Sequence, residues 1–253
     1  MTPAELVNRT DGRPFGALRE VRIEPGVNQY AEGSAEVSFG RTRVHVAVSV
    51  ERELPPWMKP KDGSAPTGGW VTAEYGMLPR STHTRNRREA SAGKQGGRTL
   101  EIQRLIGRAA RAALDLSLLK GVTLKIDCDV LTADGGTRTA SITGAWVALA
   151  QAIEWAKRNE LADPGIELTQ VAAVSVGRVG GAELLDLCYD EDSQAEFDLN
   201  LVFNKRQELI EIQGTAENRP ISVKELNNLV ALGWGGIEQL FAIQSRALQQ
   251  ITK

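Results

Sequence analysis

Polar and apolar residues alternate through SAEVSFGRTRVHVAVSV (34–50), with a break at Gly40. That period of two predicts a pair of strands joined by a hairpin turn. A Pro/Gly-rich stretch at 52–69 interrupts the pattern and reads as an exposed loop, and the polar, basic, Gly-containing segment 79–99 has no period at all. From Leu100 to Leu119 the apolar positions Ile102, Leu105, Ile106, Ala109, Ala113 and Leu116 recur at helical spacing. VTLKIDCDV (122–130) returns to alternation, with Val122, Leu124, Ile126, Cys128 and Val130 on one face. A second long helix is predicted from near Ser141 to about Lys157. Beyond Asp163-Pro164-Gly165, four further strands are expected at 171–179, 183–189, 198–204 and 208–214. A last helix starts at the capping-box pattern Ser222-Val223-Lys224-Glu225 and continues towards Lys253. The pattern is α+β, and both halves set strands before a helix.

Composition changes this picture little. The 253 residues are 42% hydrophobic and 25% charged, which is ordinary for a globular chain. No run approaches the ~20 apolar residues of a bilayer span, and Met1 to Arg13 has no apolar leader segment. Cys128 and Cys188 are the two cysteines and His45 and His83 the two histidines, so Cys/His zinc chemistry is not expected. A cytoplasmic protein with free thiols is the expectation.

Charge changes it more. The net charge is −2, but the distribution is uneven. Arg80, Arg85, Arg87, Arg88, Lys94, Arg98, Arg104, Arg108 and Arg111 are opposed over that stretch only by Glu89 and Glu101. Glu183, Asp186, Asp190, Glu191, Asp192, Glu196 and Asp198 follow one another with no intervening Lys or Arg. A polyanion suits the first stretch and a divalent cation the second, although two solvated faces would read the same way.

Within these stretches, Asp134-Gly135-Gly136-Thr137-Arg138-Thr139-Ala140-Ser141 joins a strand to a helix. Paired glycines let backbone N–H groups approach an anion, Arg138 adds a fork of donors, and the helix N-terminus adds a favourable dipole. The alternative is a tight turn with Ser141 or a neighbouring Thr as N-cap. Gly93-Lys94-Gln95-Gly96-Gly97-Arg98-Thr99 repeats the logic before the first long helix. Asp192 and Asp198 flank a turn that can bring two hard oxygen ligands together for Mg²⁺ or Mn²⁺, with Glu196 a lesser candidate. Asp127, Asp129 and Asp186, each within a predicted strand, read as structural.

The runs GWVTAEYGMLPRSTHTRNRREA (69–90), GKQGGRTLEIQRLIGRAARAALDL (93–116), IDCDVLTADGGTRTASITGA (126–145), LDLCYDEDSQAEFDLN (185–200) and EIQGTAE (211–217) resemble the bacterial ribonuclease PH family over nearly the whole chain. The resemblance implies a single domain over 1–253, built of two ββαβα-like halves (about 1–160 and 161–253, ribosomal protein S5 domain 2-like) and assembled as a hexameric ring of three dimers. It implies that inorganic phosphate attacks the last phosphodiester of an RNA 3′ end, as in tRNA precursors, and releases a nucleoside diphosphate. Phosphate then falls to Arg98 and to Gly136, Thr137 and Arg138, with Ser141 as an added donor. Asp192 and Asp198 become the catalytic, metal-binding pair, and Arg80, Arg85 and Arg88 bind RNA. Departures are the long Pro-rich loop, Phe197 and Leu199 beside the second aspartate, and Arg87 where a small residue is frequent. An RNA-binding ring subunit without activity, and a hydrolytic nuclease, are the competing expectations.

Overall fold

The computed structural model describes residues 9–62, 64, 66–216 and 220–251. Glu217 of the EIQGTAE run, the chain end at Lys253, and Met1–Asn8 lie outside these residues, as do Gly63 and Ala65 of the Pro-rich loop.

The predicted hairpin is β2 (Gly33–Phe39) and β3 (Thr42–Glu51), and β1 (Val21–Pro25) joins its outer edge. The loop after β3 ends at residue 67, where β4 (Gly68–Met77) begins. Neither β1 nor β4 is among the predicted strands, although VRIE (21–24) and VTAEYGM (71–77) both alternate polar and apolar positions. The apolar face of β5 (Lys120–Thr132) is buried as expected, from Val122 to Val130. β5 lies between β3, antiparallel, and β4, parallel, in a sheet ordered β1-β2-β3-β5-β4.

Two helices cover one side of this sheet, after a single turn α1 (Glu89–Ala92). The first, α2 (Gly97–Arg111), stops eight residues before the expected Leu119. Leu114 and Leu119 leave the helix to make isolated bridges with Leu168 and Ala162, and Asp115 caps a 3-10 turn by accepting from Ser117 N. The second, α3 (Thr137–Arg158), starts four residues before Ser141, because Gly135 and Gly136 adopt φ of 75° and 66° and deliver the chain directly into the helix.

The second sheet has the order β7-β6-β8-β9, with β6 Val171–Val179, β7 Ala182–Leu185, β8 Phe197–Asn204 and β9 Leu209–Ala216. The strand expected at 183–189 ends at Leu185. Asp186 has φ 56° and turns its carboxylate into the interior, and α4 (Tyr189–Asp192) follows. The expected capping box opens α5 (Val223–Gln249), with Ser222 and Glu225 bonded reciprocally.

α3 touches β2 and β3 of the first sheet and β6 of the second. It is buried almost all round, which is why its sequence carries small residues (Ala140, Gly144, Ala148, Ala152, Ala156) rather than a polar stripe. The main apolar core therefore runs through both halves of this α+β fold, with a small separate cluster of Leu184, Leu187 and Ala195. Among the described residues, no helix is long and apolar enough to cross a membrane.

Candidate active site

The two halves meet at the N-terminal ends of α2 and α3. Ser175 on β6 stands opposite Asn200 on β8, and Asp198 lies two residues back on the same strand. A period of two places Asp198 and Asn200 on one face. On β6 Gly177 stands opposite Asp198, and a methyl there would sit 2.6 Å from Leu187 and 2.8 Å from the Phe197 carbonyl, so no larger residue fits.

These residues form one wall of a cleft of about 450 Å³, lined by Arg98, Gly136, Thr137, Arg138, Asp192 and Asp198, with Ser175, Ser193, Gln194, Ala195 and Asn200 between them. Four segments separated by up to a hundred residues thus bring the expected arginines and aspartates to one place.

The arginines are held differently. Arg98 is exposed in the first turn of α2. Glu89 fastens that turn by accepting from Gly96 N at 3.0 Å and from the Thr99 hydroxyl at 2.7 Å. Arg138 is largely covered, and its Nη1 donates to Glu101 Oε1 at 3.0 Å and Gln213 Oε1 at 2.8 Å. Thr137 shares a hydrogen bond of 2.9 Å with the hydroxyl of Tyr75, whose buried ring raises its own pKa. Among the described residues no side chain caps the first turn of α3, so its N–H groups and dipole remain available to an anion. Ser141 does not share in this. It is fully buried one turn further on, and its hydroxyl donates to the Thr137 carbonyl at 2.8 Å, satisfied within its own helix.

On the acidic side, Asp192 is the last residue of α4. Its carboxylate keeps an exposed edge, but the surrounding cleft wall pushes its pKa up by desolvation, against the pull of the Arg98, Arg138 and Arg19 guanidinium charges. So short a helix needs external anchoring, and its neighbour Glu191 supplies it. The Glu191 carboxylate is buried, accepts from Arg9 Nε and Nη2 at 2.8 Å each, and caps its own helix by accepting from Cys188 N at 3.0 Å. Desolvation acts to raise the Glu191 pKa, but these hydrogen bonds and the Arg9 and Arg13 charges hold it below its ordinary value. Among the described residues, no three His, Cys, Asp or Glu side chains cluster to hold a metal. Asp192 and Asp198, which line the same cleft, are the two carboxylates that could hold a divalent cation as a pair, with water and phosphate oxygens filling its remaining positions.

The three arginines expected to bind RNA lie outside the cleft. Arg80 and Arg85 are exposed on the loop after β4, and Arg88 borders a separate hollow of about 700 Å³ with Lys94 and Gln95. That loop approaches the acidic turn, with the rings of His83 and Tyr189 6.2 Å apart. Asp127 and Asp129 point to the same hollow from β5, and burial raises the pKa of Asp127. Tyr75, Gln213 and Arg9 are supporting residues that the charge pattern does not reveal, because each works through a partner distant in the chain. Glu89 and Glu101 stand out in that pattern as the two acids of the basic stretch, but not as braces.

Three solved structures share the architecture. Rice (Oryza sativa) Rrp46 is 20% identical with a TM-score of 0.75, covering 95% of this chain and all of that one. The Archaeoglobus fulgidus exosome with RNA bound to the active site gives 25% and 0.73 over 98% of this chain and 93% of that one. An archaeal exosome core gives 23% and 0.70 over 95% and 91%. In sequence, residues 17–153 match domain 1 and residues 169–235 match domain 2 of a family described as 3′ exoribonucleases. The first match spans the sheet and helices that carry both arginine turns, and the second spans α4 and β8, which carry the acidic pair. With both parts present in order over most of its length, the chain belongs to the 3′ exoribonuclease family.

Proposed function

We propose that this protein is a phosphate-dependent 3′→5′ exoribonuclease of the bacterial ribonuclease PH type. It trims the 3′ ends of tRNA precursors and other RNAs in the cytoplasm, releases nucleoside diphosphates, and in reverse adds nucleotides. The reading rests on one observation: two arginine-bearing helix N-termini and two carboxylates line the same cleft. A hydrolytic nuclease needs the carboxylates and a water. It has less use for a second anion site built from Arg98 and the turn Gly136–Arg138.

In the proposed reaction, Arg98, Arg138 and the first turn of α3 hold inorganic phosphate and offset its repulsion by the RNA phosphodiester. An oxygen of the held phosphate attacks the terminal phosphorus, the bond to the preceding 3′-oxygen breaks, and a nucleoside diphosphate leaves. Asp192 and Asp198 would hold Mg²⁺ (or Mn²⁺), and the bound ion would supply Lewis-acid chemistry to offset charge on the departing 3′-oxygen. Arg80, Arg85 and Arg88 draw in the RNA backbone outside the cleft. The similarity to an exosome with RNA bound to its active site supports RNA as substrate, and the assembly we infer is a ring of six identical chains as three dimers.

The test is to incubate the purified protein and Mg²⁺ with an RNA bearing an unpaired 3′ tail, with and without inorganic phosphate. Nucleoside diphosphates formed only with phosphate are expected. Monophosphates formed without phosphate would make it a hydrolase, and binding without product would make it an inactive ring subunit.

A further inference from the structure

Beneath the cleft lies a buried arginine that belongs to neither the phosphate nor the RNA set. Arg19 is 6% exposed, in the segment leading to β1. Its backbone N and Nε donate to Asp186 Oδ2 at 2.8 and 3.0 Å, and its Nη2 donates to Oδ1 at 2.7 Å. Asp186 is fully buried where β7 gives way to the turn that carries Asp192. The same guanidinium reaches the other side of the site. Nη1 donates to the Asp134 carbonyl at 2.6 Å and Nη2 to the Gly135 carbonyl at 3.4 Å. One cation thereby bonds both the turn that opens α3 and the turn that leads to α4.

This has a directional consequence for the backbone. In a trans peptide the N–H points opposite to its carbonyl. With the Asp134 and Gly135 carbonyls drawn onto Arg19, and the latter also accepting from the Thr42 hydroxyl at 2.7 Å, the Gly135 and Gly136 N–H groups turn away from it. The packing leaves little slack. A methyl on Gly136 would sit 3.0 Å from Arg19 Nη2, and one on Gly135 would sit 2.6 Å from the Leu187 carbonyl. Ser175, in the cleft wall, ties the same turn to β6, because its carbonyl accepts from Asp186 N at 2.7 Å and its hydroxyl from Leu187 N at 3.0 Å.

We propose that Arg19 is a positioning residue: paired with Asp186, it sets the spacing between the phosphate-side turn Gly135–Arg138 and the acidic turn that presents Asp192. The inference deepens the proposed phosphorolytic reading and rests on it. Arg19 is buried and paired with Asp186, which also accepts from Arg13 Nη1 at 3.4 Å. The role of Arg19 is therefore in setting the turns and in its pull on Asp192 rather than in attracting RNA. The Arg19 fork makes four side-chain hydrogen bonds in one plane, from Nε, Nη1 and Nη2, one more than the three donors of a lysine ammonium allow. Misplacement by about 1 Å can cost ~100-fold in rate.

The experiment compares wild type with Arg19→Lys and with the charge-balanced double variant Arg19→Met/Asp186→Asn, which avoids stranding a buried carboxylate. Melting curves, steady-state kinetics against phosphate and RNA, RNA affinity without phosphate, and amide hydrogen exchange over 134–139 are measured for each. Expected are cooperative melting, a kcat about 100-fold below wild type, RNA affinity within about twofold, and faster exchange of the turn amides. Arg19→Lys carries the test if the double variant does not fold. A folded variant with wild-type kcat and unchanged turn exchange would overturn the positioning role. If wild type itself gives no phosphate-dependent product, the functional reading fails, and hydrogen exchange alone then decides whether Arg19 fixes the turn.

Discussion

Arg98 and Arg138 enter the same cleft but are supported so differently that their removal should fail in different ways. Arg98 is exposed, and its helix turn is fastened by Glu89 rather than by its own side chain. Arg98→Ala is therefore expected to leave the melting temperature nearly unchanged, within the ~0.5 kcal/mol typical of surface substitutions. It should raise the phosphate KM and lower kcat/KM by about 100-fold, the scale of losing one charge-stabilising donor. Arg138 is covered and joins α2 to β9 through Glu101 and Gln213. Arg138→Ala should match that kinetic loss and also cost about 1 kcal/mol, because it removes hydrogen bonds to two partly exposed acceptors. Phosphate saturation curves and thermal melts of the two variants separate the cases, and identical melts would mean that Arg138 braces nothing. Asp198→Asn should abolish turnover while RNA affinity persists, read by gel shift beside product assay. Loss of both together with the assembly would make Asp198 structural.

At the level of elements, the most exposed weakness is α4, four residues long and carrying Asp192 at its end. So short a helix has no stability of its own, and its position depends on Glu191 bound to Arg9. Glu191→Gln is expected to destabilise the protein at neutral pH by about 3 kcal/mol, the scale of breaking a buried pair. The sign with pH follows from the depressed Glu191 pKa. The unfolded carboxyl titrates near its ordinary value, so the pair's contribution is fully present above that value and is lost as pH falls through the lower folded value. The difference in stability between wild type and variant should shrink over that acid window, and a gap independent of pH would show that the charge is not what holds α4. The same element shows what was legible in the sequence. Asp192 and Asp198 stood out because an unbroken acidic run is visible locally, as did the glycines beside Arg98 and Arg138. The anchors did not, since Arg9 and Glu191 are 182 residues apart and Arg19 and Asp186 are 167 apart. Strand alternation ran past Leu185 because nothing in its period signals the positive φ of Asp186. Ser141 had the chemistry of a phosphate donor but lies one turn too deep, a displacement set by where Gly136 lets α3 begin.

For the whole molecule, the net charge of −2 is a poor guide, because attraction for a polyanion depends on where the basic residues stand. Arg80 and Arg85 are exposed on the loop beside the acidic turn, and Arg88 borders the neighbouring hollow, all outside the cleft that holds Arg98 and Arg138. Under the proposed function, this separation divides RNA capture from phosphate chemistry. Each phosphate contact with single-stranded RNA contributes about 0.7 to the slope of log affinity against log salt. Replacing Arg80, Arg85 and Arg88 together by Ala should therefore weaken RNA binding at low salt and lower that slope by about 2. The phosphate KM at saturating RNA should stay within about twofold of wild type, because none of the three lines the cleft. Fluorescence anisotropy of a labelled single-stranded RNA over a salt series, with phosphate kinetics on the same preparations, measures both quantities. If the salt slope stayed as in wild type, the RNA backbone would have to cross another face of the molecule. If the phosphate KM rose in parallel with the loss of RNA affinity, the loop would act on the cleft itself, through the contact between His83 and Tyr189 that joins it to α4.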